Sequence, residues 1–358
     1  MLNKKNIFSS LLCACLIFIF GLGIATADPI PSNQTLNEDL LLPPDNNGNK
    51  IPISIAFRLI NITDIDEVSQ RFTVTGYLMA EWQDPRLAFK PKNAAEKFRL
   101  YRPEDIWIPK FDFANGVSPH QSFDIAVHVT PEGKVKYYER SSAILSSDFH
   151  IRSFPLDEQE LTILIQPSIS EVERVNFVLA PFVPFSDEKG AYSSLLQWDI
   201  LKLDANIITI LGYMNEPVNV IKFSIDIERR SNFYIWKVFL PLLLMVFLSW
   251  TVLWIDPKEL SSQTQISVTT ILTVIAFSFA ISVTLPKVPY LTFIDAFFLL
   301  CYFFVFITAI EITLMHVLVR KKREASGYKV QRISQFLLPS LFLGMLLVII
   351  WWFLFIKA

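Results

Sequence analysis

The sequence predicts an all-β sandwich outside a membrane, followed by an all-α domain of four transmembrane helices. Three observations predict this fold: an apolar leader at the start, a first half that alternates like β-strands, and four long apolar segments in the second half. The charges divide in the same way, since residues 28–228 carry 29 acidic and 18 basic side chains and the remainder is apolar and basic. This distribution argues against a nucleic-acid-binding protein and indicates an extramembranous domain attached to a membrane domain.

The first 27 residues have the three regions of a secretory signal peptide. Lys4 and Lys5 form the basic start, residues 7–24 the apolar stretch, and Ala25-Thr-Ala27 the cleavage site. An uncleaved anchor helix is the alternative. Cleavage leaves Cys301 as the single cysteine, so we expect an exported domain without a disulfide. Residues 28–50, rich in Pro, Asn and Asp, are expected to form a flexible leader.

Four later segments are long enough to cross a bilayer, which takes about 20 residues. They are residues 233–255, 261–285, 291–319 and 336–356. The link between the third and fourth segments carries six basic residues and one acid, which places this link in the cytoplasm. We therefore expect residues 28–228 and the C-terminus outside, with residues 229–358 as the transmembrane domain.

Residues 51–228 are predicted to form short strands. Residues 72–82 alternate and are rich in β-branched and aromatic side chains, and Pro131-Glu-Gly133 indicates a hairpin turn. A short helix around residues 94–100 is the one exception that we expect. Many short strands at such spacing are typical of a β-sandwich, so we expect an extracellular β-sandwich over residues 51–228. The four histidines lack metal-ligand spacing, and no nucleophile elbow or P-loop occurs, so we expect no enzyme, no catalytic residue, no metal and no cofactor.

The second apolar segment is unusually polar. It contains ten Ser or Thr residues together with Gln263 and Gln265, which are costly to expose to lipid. Steps of four and three place one stripe on a helix: Gln265, Thr269, Leu272, Ala276, Phe279 and Val283. A helix buried in a bundle and a helix lining a pore both explain this pattern. A pore would require a ring of subunits, and its apolar half would close by dewetting.

Four motifs occur in a characteristic order. They are Trp107-Ile-Pro109, Phe154-Pro-Leu-Asp157, Arg229 twelve residues before Pro241, and the link 285–290. With these motifs and its four spans, the chain resembles the pentameric ligand-gated ion channels, in the prokaryotic branch that lacks the cysteines of the Cys-loop receptors. Its stripe is most similar to that of the amine-gated Erwinia-type channels. Parts of the first and third spans are similar to the proton-gated cyanobacterial branch.

The resemblance implies a homopentamer with an axial pore, which we expect in a bacterial inner membrane. The acidic excess of residues 28–228 and the absence of a basic residue from the stripe favour monovalent cations in that pore. A small-molecule agonist, or pH, would act on the outer domain. Pro155, Asp157, Arg229 and Pro286 would couple that domain to the pore, with Asp157 and Arg229 as a buried ion pair. Glu259 and Ser261 would set selectivity at the cytoplasmic mouth.

The resemblance also implies a ligand site between adjacent subunits. Its candidate residues are Phe57, Tyr77, Asp112, Phe113, Tyr138, Gln166, Ser168 and Tyr213. Gln166 and Ser168 stand where the Erwinia-type amine site has a Glu and a Phe, so a primary-amine agonist does not follow. A membrane-anchored periplasmic sensor that does not conduct ions is the alternative function. A multi-pass membrane enzyme is a third alternative, but the sequence shows no convincing set of catalytic residues for it.

Overall fold

The computed structural model describes residues 38–180, 196–212, 215–256, 259–283, 285–321 and 323–355. The predicted signal peptide and residues 28–37 of the predicted leader lie outside these ranges. Leu40–Ala358 forms one compact unit. In the part of the predicted leader that the structure describes, Leu40 O accepts a hydrogen bond from Trp107 N at 2.6 Å and Leu42 O accepts one from Arg86 Nη2 at 2.9 Å. These bonds attach residues 40–42 to the sandwich.

The outer domain contains ten strands in the described residues. They are β1 (Ile51–Asp66), β2 (Arg71–Gln83), β3 (Arg99–Tyr101), β4 (Phe111–Phe113), β5 (Gln121–Val129), β6 (Lys134–Ser146), β7 (Glu158–Pro167), β8 (Val175–Leu179), β9 (Trp198–Leu211) and β10 (Pro217–Arg229). They form a six-stranded sheet in the order β3-β5-β6-β2-β1-β8 and a four-stranded sheet in the order β4-β7-β10-β9. The predicted β-sandwich is therefore confirmed.

The sandwich is held together by apolar side chains from alternate strand positions. Phe72 of β2, Phe177 of β8 and Phe223 of β10 are fully buried in one core. The predicted hairpin joins β5 to β6, with Gly133 at a positive φ of 81° and its amide donating to Thr130 O at 2.9 Å. Alternation along each strand thus decides which side chains reach the core and which face the surface.

The short helix expected around residues 94–100 is wrong. Asn93 Oδ1 accepts hydrogen bonds from the backbone amides of Ala95 and Glu96, both at 3.0 Å. These bonds close a single turn at Asn93, and the chain does not continue it into a helix. The following residues pair with β5 as strand β3.

Four long apolar helices follow, as predicted. They are α1 (Asn232–Trp254), α2 (Leu260–Ser282), α3 (Phe293–Arg320) and α4 (Glu324–Phe355). The last helix begins twelve residues earlier than the predicted span. Gln331 and Gln335 donate side-chain hydrogen bonds to Leu253 O at 2.8 Å, which holds these polar turns against the end of α1. A hydropathy pattern does not detect such turns.

The helices form one bundle beneath the sandwich. Helix α2 packs against α1 and α3, and α4 packs against α3. Ser153 Oγ, in the loop before β7, donates to Phe353 O near the end of α4 at 2.9 Å. The end of α4 therefore lies on the sandwich side, while Arg320 and Lys321 mark the opposite end of the bundle.

Candidate functional site

An arginine joins the sandwich to the helices. Arg229 ends β10, three residues before α1, and is 4% exposed. Its Nε donates to Asp157 Oδ1 at 2.8 Å, and its Nη2 donates to Asp157 Oδ2 at 3.2 Å and to Glu67 Oε1 at 2.7 Å. One guanidinium thus connects the turn after β1, the start of β7 and the end of β10.

Aromatic rings and an amide complete this arrangement. The guanidinium carbon of Arg229 lies 4.1 Å from the Trp198 ring centroid and 4.7 Å from that of Phe154. Gln159 Nε2 donates to Asp157 Oδ2 at 2.6 Å. Burial lowers the pKa of Arg229, but its bonds to Asp157 and the charges of both acids outweigh that effect and raise the pKa. Arg229 therefore stays cationic among rings and acids.

The ion pair expected from the sequence is present, and Glu67 is an addition to it. Glu67 lies in the turn between β1 and β2, beyond the end of the strand. Asp64 and Asp66 precede it, and an acidic turn is most often solvated. The sequence does not indicate which of these three acids reaches Arg229, and the folded structure shows that it is Glu67.

The loop of residues 147–157, here called the junction loop, touches the helices at several points. Pro155 O accepts a hydrogen bond from Ser231 Oγ at 3.0 Å, directly before α1. Phe154 O accepts one from Ile294 N at 3.2 Å, in the first turn of α3. Pro286 lies in the link between α2 and α3, and Tyr290 of the same link packs 5.9 Å from the Arg152 guanidinium. A displacement of the junction loop would therefore reach several helices.

Helix α2 has two contrasting faces. One face is buried against the neighbouring helices and consists of Gln263, Ser267, Thr270 and Val274. Each residue of the predicted stripe is exposed in the single chain, and Leu272 and Phe279 are 61% and 71% exposed. The bundle of one chain thus buries the face opposite the stripe and leaves the stripe itself uncovered.

The two selectivity candidates lie at the start of α2. Glu259 directly precedes the helix and Ser261 is its second residue, and both are exposed. Lys258 lies outside the described residues. A ring of subunits would bring copies of Glu259 and Ser261 to the end of the stripe.

The ligand candidates do not meet at one place in a single chain. Asp112 of β4 pairs with Gln166 of β7, and Ser168 N donates to Lys110 O at 2.9 Å beside them. Tyr77 and Tyr138 lie on β2 and β6 of the other sheet. The candidates thus form two groups on different sheets.

The assignment of Phe57 to the ligand site is contradicted, because Phe57 lies in the core and not at a surface that a ligand can reach. Alternation along β1 turns it inward, 6.0 Å from the Phe223 ring. Phe113 is also buried and packs against His120 at 5.3 Å. Tyr213 lies outside the described residues.

A small cleft opens beside the first of the two groups. Its volume is about 200 Å³, and its lining includes Gln166, Glu173, Arg174 and Glu216. Glu173 and Arg174 lie directly before β8, and Glu216 directly before β10. The cleft therefore combines charged side chains of both signs with apolar ones.

Comparisons with known proteins agree with this architecture. Residues 34–231 match the family model of the neurotransmitter-gated ion-channel ligand binding domain, and residues 238–346 match that of the neurotransmitter-gated ion-channel transmembrane region. The chain is 30% identical over 308 residues to a proton-gated ion channel of Gloeobacter violaceus, covering 86% of this chain and 84% of that one.

Two animal receptor subunits are also similar. The chain is 27% identical over 289 residues to gamma-aminobutyric acid receptor subunit beta-4 of Gallus gallus, covering 76% of this chain and 56% of that one. It is 25% identical over 302 residues to gamma-aminobutyric acid receptor subunit beta of Caenorhabditis elegans, covering 80% and 53%. It spans little more than half of each animal subunit.

We predict that Arg229→Ala lowers the thermal unfolding midpoint of the purified protein strongly. The substitution leaves Asp157 buried without its cation, and such a loss costs about 3–5 kcal/mol. Arg230→Ala is the matched control, since Arg230 pairs with Asp199 at the exposed surface and should change the midpoint little. Equal midpoints for the two variants would show that the buried contacts of Arg229 do not stabilise the folded protein.

Proposed function

This chain belongs to the neurotransmitter-gated ion channels, the pentameric ligand-gated family, and we propose that it is a cation-selective homopentamer of a bacterial inner membrane. A small ligand or protons would open it by acting on the outer domain. Residues 1–27 would be removed on export, and residues 51–228 and the C-terminus would lie outside the cytoplasm. The bond from Ser153 to Phe353 O supports this arrangement, because it brings the end of α4 to the sandwich side.

The exposed stripe of α2 is the observation that carries the proposal. One chain leaves Gln265, Thr269 and the apolar residues beyond them uncovered, although they belong to a helix that crosses the membrane. Glutamine facing lipid is costly, and a single helix cannot enclose water. Five copies around one axis would turn the stripe toward a shared water-filled pore.

The order of side chains along the stripe suggests where the pore closes. Gln265 and Thr269 occupy the half nearer the cytoplasmic end, and Leu272, Ala276 and Phe279 follow. Apolar rings of this kind expel water when they come close together. We therefore assign the gate to the apolar half, in the pattern of the Erwinia-type channels.

Cation selectivity rests on the charges along the conduction path. The stripe carries no basic side chain, which an anion filter would need, and Glu259 lies exposed at its cytoplasmic end. The excess of acids in residues 28–228 would also attract cations into an axial vestibule, within a screening length of roughly 8–10 Å. Discrimination between sodium and potassium should be weak, because the stripe presents side chains and no ring of backbone carbonyls.

The agonist site would lie between neighbouring subunits. Asp112, Gln166 and Ser168 would come from one subunit, and Tyr77 and Tyr138 from the next, since the two groups lie on different sheets. The cleft beside Gln166 would admit a small ligand, with both charged and apolar side chains around it. Each group alone is half of a site, so ligand binding would depend on assembly.

We predict that Leu272→Ser produces spontaneous current or lowers the stimulus needed, because a hydroxyl stabilises water in the constriction. The measurement is current through the purified protein in a planar bilayer. Leu347→Ser on α4 is the matched control, since Leu347 is 66% exposed on a helix that packs against α3 and away from α2.

An unchanged response in an assembled Leu272→Ser channel would remove Leu272 from the gate. If neither the wild-type protein nor this variant carries current under any ligand or pH, the membrane-anchored sensor becomes the better assignment.

We predict a reversal potential near the cation equilibrium potential in a salt gradient. Glu259→Gln should reduce the selectivity if its carboxylate ring contributes, and Ser262→Ala at the same end of α2 should leave it unchanged. A wild-type reversal potential near that of chloride would contradict cation selectivity.

A further inference from the structure

A histidine of the outer domain is surrounded by acids and aromatic rings, apart from the pore and the domain junction. His120 directly precedes β5, and its Nε2 lies 3.2 Å from Glu139 Oε1. Glu139 points inward from β6 and is 2% exposed. The hydroxyl of Tyr137, two residues earlier on the same face, donates to Glu139 Oε2 at 2.8 Å. A buried carboxylate therefore bonds to a histidine on one side and a phenol on the other.

Aromatic rings enclose the imidazole. Phe111 stacks on it with ring centroids 6.2 Å apart and planes at 27°, and Phe113 meets it at 5.3 Å and 70°. Phe111 also packs edge-on against Tyr137 at 5.8 Å. The faces of aromatic rings attract cations. The side chain of His120 is 22% exposed, so water and protons reach it.

Among the described residues, the charged groups that face His120 are acids. Glu139 lies on β6 and Asp112 on β4, and the charges of both favour an imidazolium. Tyr137 is the third titratable neighbour, and its pKa is raised because of burial and the nearby Glu139, so its hydroxyl keeps its proton.

The strands beside β6 contribute no opposing charge at this position. Opposite Glu139 stand Leu78 of β2 and Ile125 of β5. Arg140 and Asp124 pair with each other on the outward-facing positions of β6 and β5. Ser122 of β5 adds a hydrogen bond to Glu139.

The pKa of His120 is raised by its hydrogen bond to Glu139 and by the charges of Glu139 and Asp112, although burial opposes the shift. Burial pushes the pKa of Glu139 upward, but hydrogen bonds from His120, Ser122 and Tyr137 outweigh it, and the pKa is lowered. Protonation thus occurs at the imidazole and leaves the carboxylate ionised.

We propose that His120, Glu139 and Tyr137 form a proton-binding site of the outer domain, and that protonation of His120 ties the segment before β5 to β6. Both sides of this site lead to the junction loop. Strand β6 ends at Ser146, directly before the loop, and β4 pairs with β7, which begins at Glu158 directly after it. Proton binding would thereby act on the loop that carries Asp157.

The proton-binding step stands independently of conduction, whereas its effect on opening rests on the proposed channel function. Because the pKa of His120 is higher in the folded protein, the stabilisation is present below the unfolded value of about 6.5. It is lost as the pH rises through the folded pKa. Proton binding therefore stabilises the folded outer domain at acidic pH.

The test is the thermal unfolding midpoint of the purified full-length assembly between about pH 5 and pH 9, a range that spans histidine titration. His120→Gln should remove the part of the wild-type stability that is present at acidic pH, so that the two curves converge as the pH rises. Glu139→Gln should move the wild-type transition to lower pH, and it also serves as the test if His120→Gln does not assemble.

His128→Gln is the matched control, because His128 stacks on Phe98 at 4.5 Å and packs against Tyr138. It should keep the pH profile of the wild type. Identical profiles for wild type and both variants, His120→Gln and Glu139→Gln, would overturn the site.

Currents of the same proteins in planar bilayers test the second step. His120→Gln should flatten the pH dependence of opening around neutral pH. Stability profiles that change while this pH dependence persists would refute the link to opening and keep the site. If no variant conducts, the channel function fails, and the unfolding curves still decide whether His120 binds a proton.

Discussion

Helix α2 has two faces that need different surroundings, and the assembly of the molecule depends on this constraint. Its Gln263 face is buried against α1 and α3, and the side chain of Gln263 donates to Ile255 O at 3.1 Å. The opposite stripe, from Gln265 to Val283, finds no cover within its own bundle. Lipid is a poor partner for the polar half of that stripe, which leaves other copies of the helix and water. The membership of this chain in a pentameric family agrees with such a ring.

In the proposed channel, the pore helices would respond to the outer domain through the contacts that join the two domains. Arg229 would be central to them, because it binds Asp157 and Glu67 beside aromatic rings and its backbone leads directly into α1. The junction loop beside it reaches Ile294 of α3 through Phe154 O. Since interiors are close-packed, a shift of the loop would be transmitted to the helices in the proposed channel. The proposed proton site at His120 lies beside β6, which leads into this loop, and beside β4, which pairs with the strand that leaves it.

Periodicity in the sequence predicted the features that depend on a single strand or helix. The alternation of residues 72–82 and the apolar segments of the second half predicted the sandwich and the spans, and the Gln265 stripe predicted an unusual α2. Features that join distant residues escaped prediction. The start of α4 depends on Gln331, which reaches the end of α1. The contact between Glu67 and Arg229 forms only on folding, and so does the pairing of His120 with Glu139. Phe57 was assigned to a ligand site although the parity of β1 turns it into the core.

Cysteine accessibility along α2 tests the account most directly, since it needs no knowledge of the agonist. Cys301 is the single cysteine after residue 27 and is buried, so the background reaction should be low. Single cysteines on the stripe, at 265, 269, 272, 276, 279 and 283, should react with a water-soluble thiol reagent in the assembled protein in a bilayer. Cysteines at 263, 267, 270 and 274 should not. Reaction without this helical period, or confined to the second set, would contradict a water-lined pore.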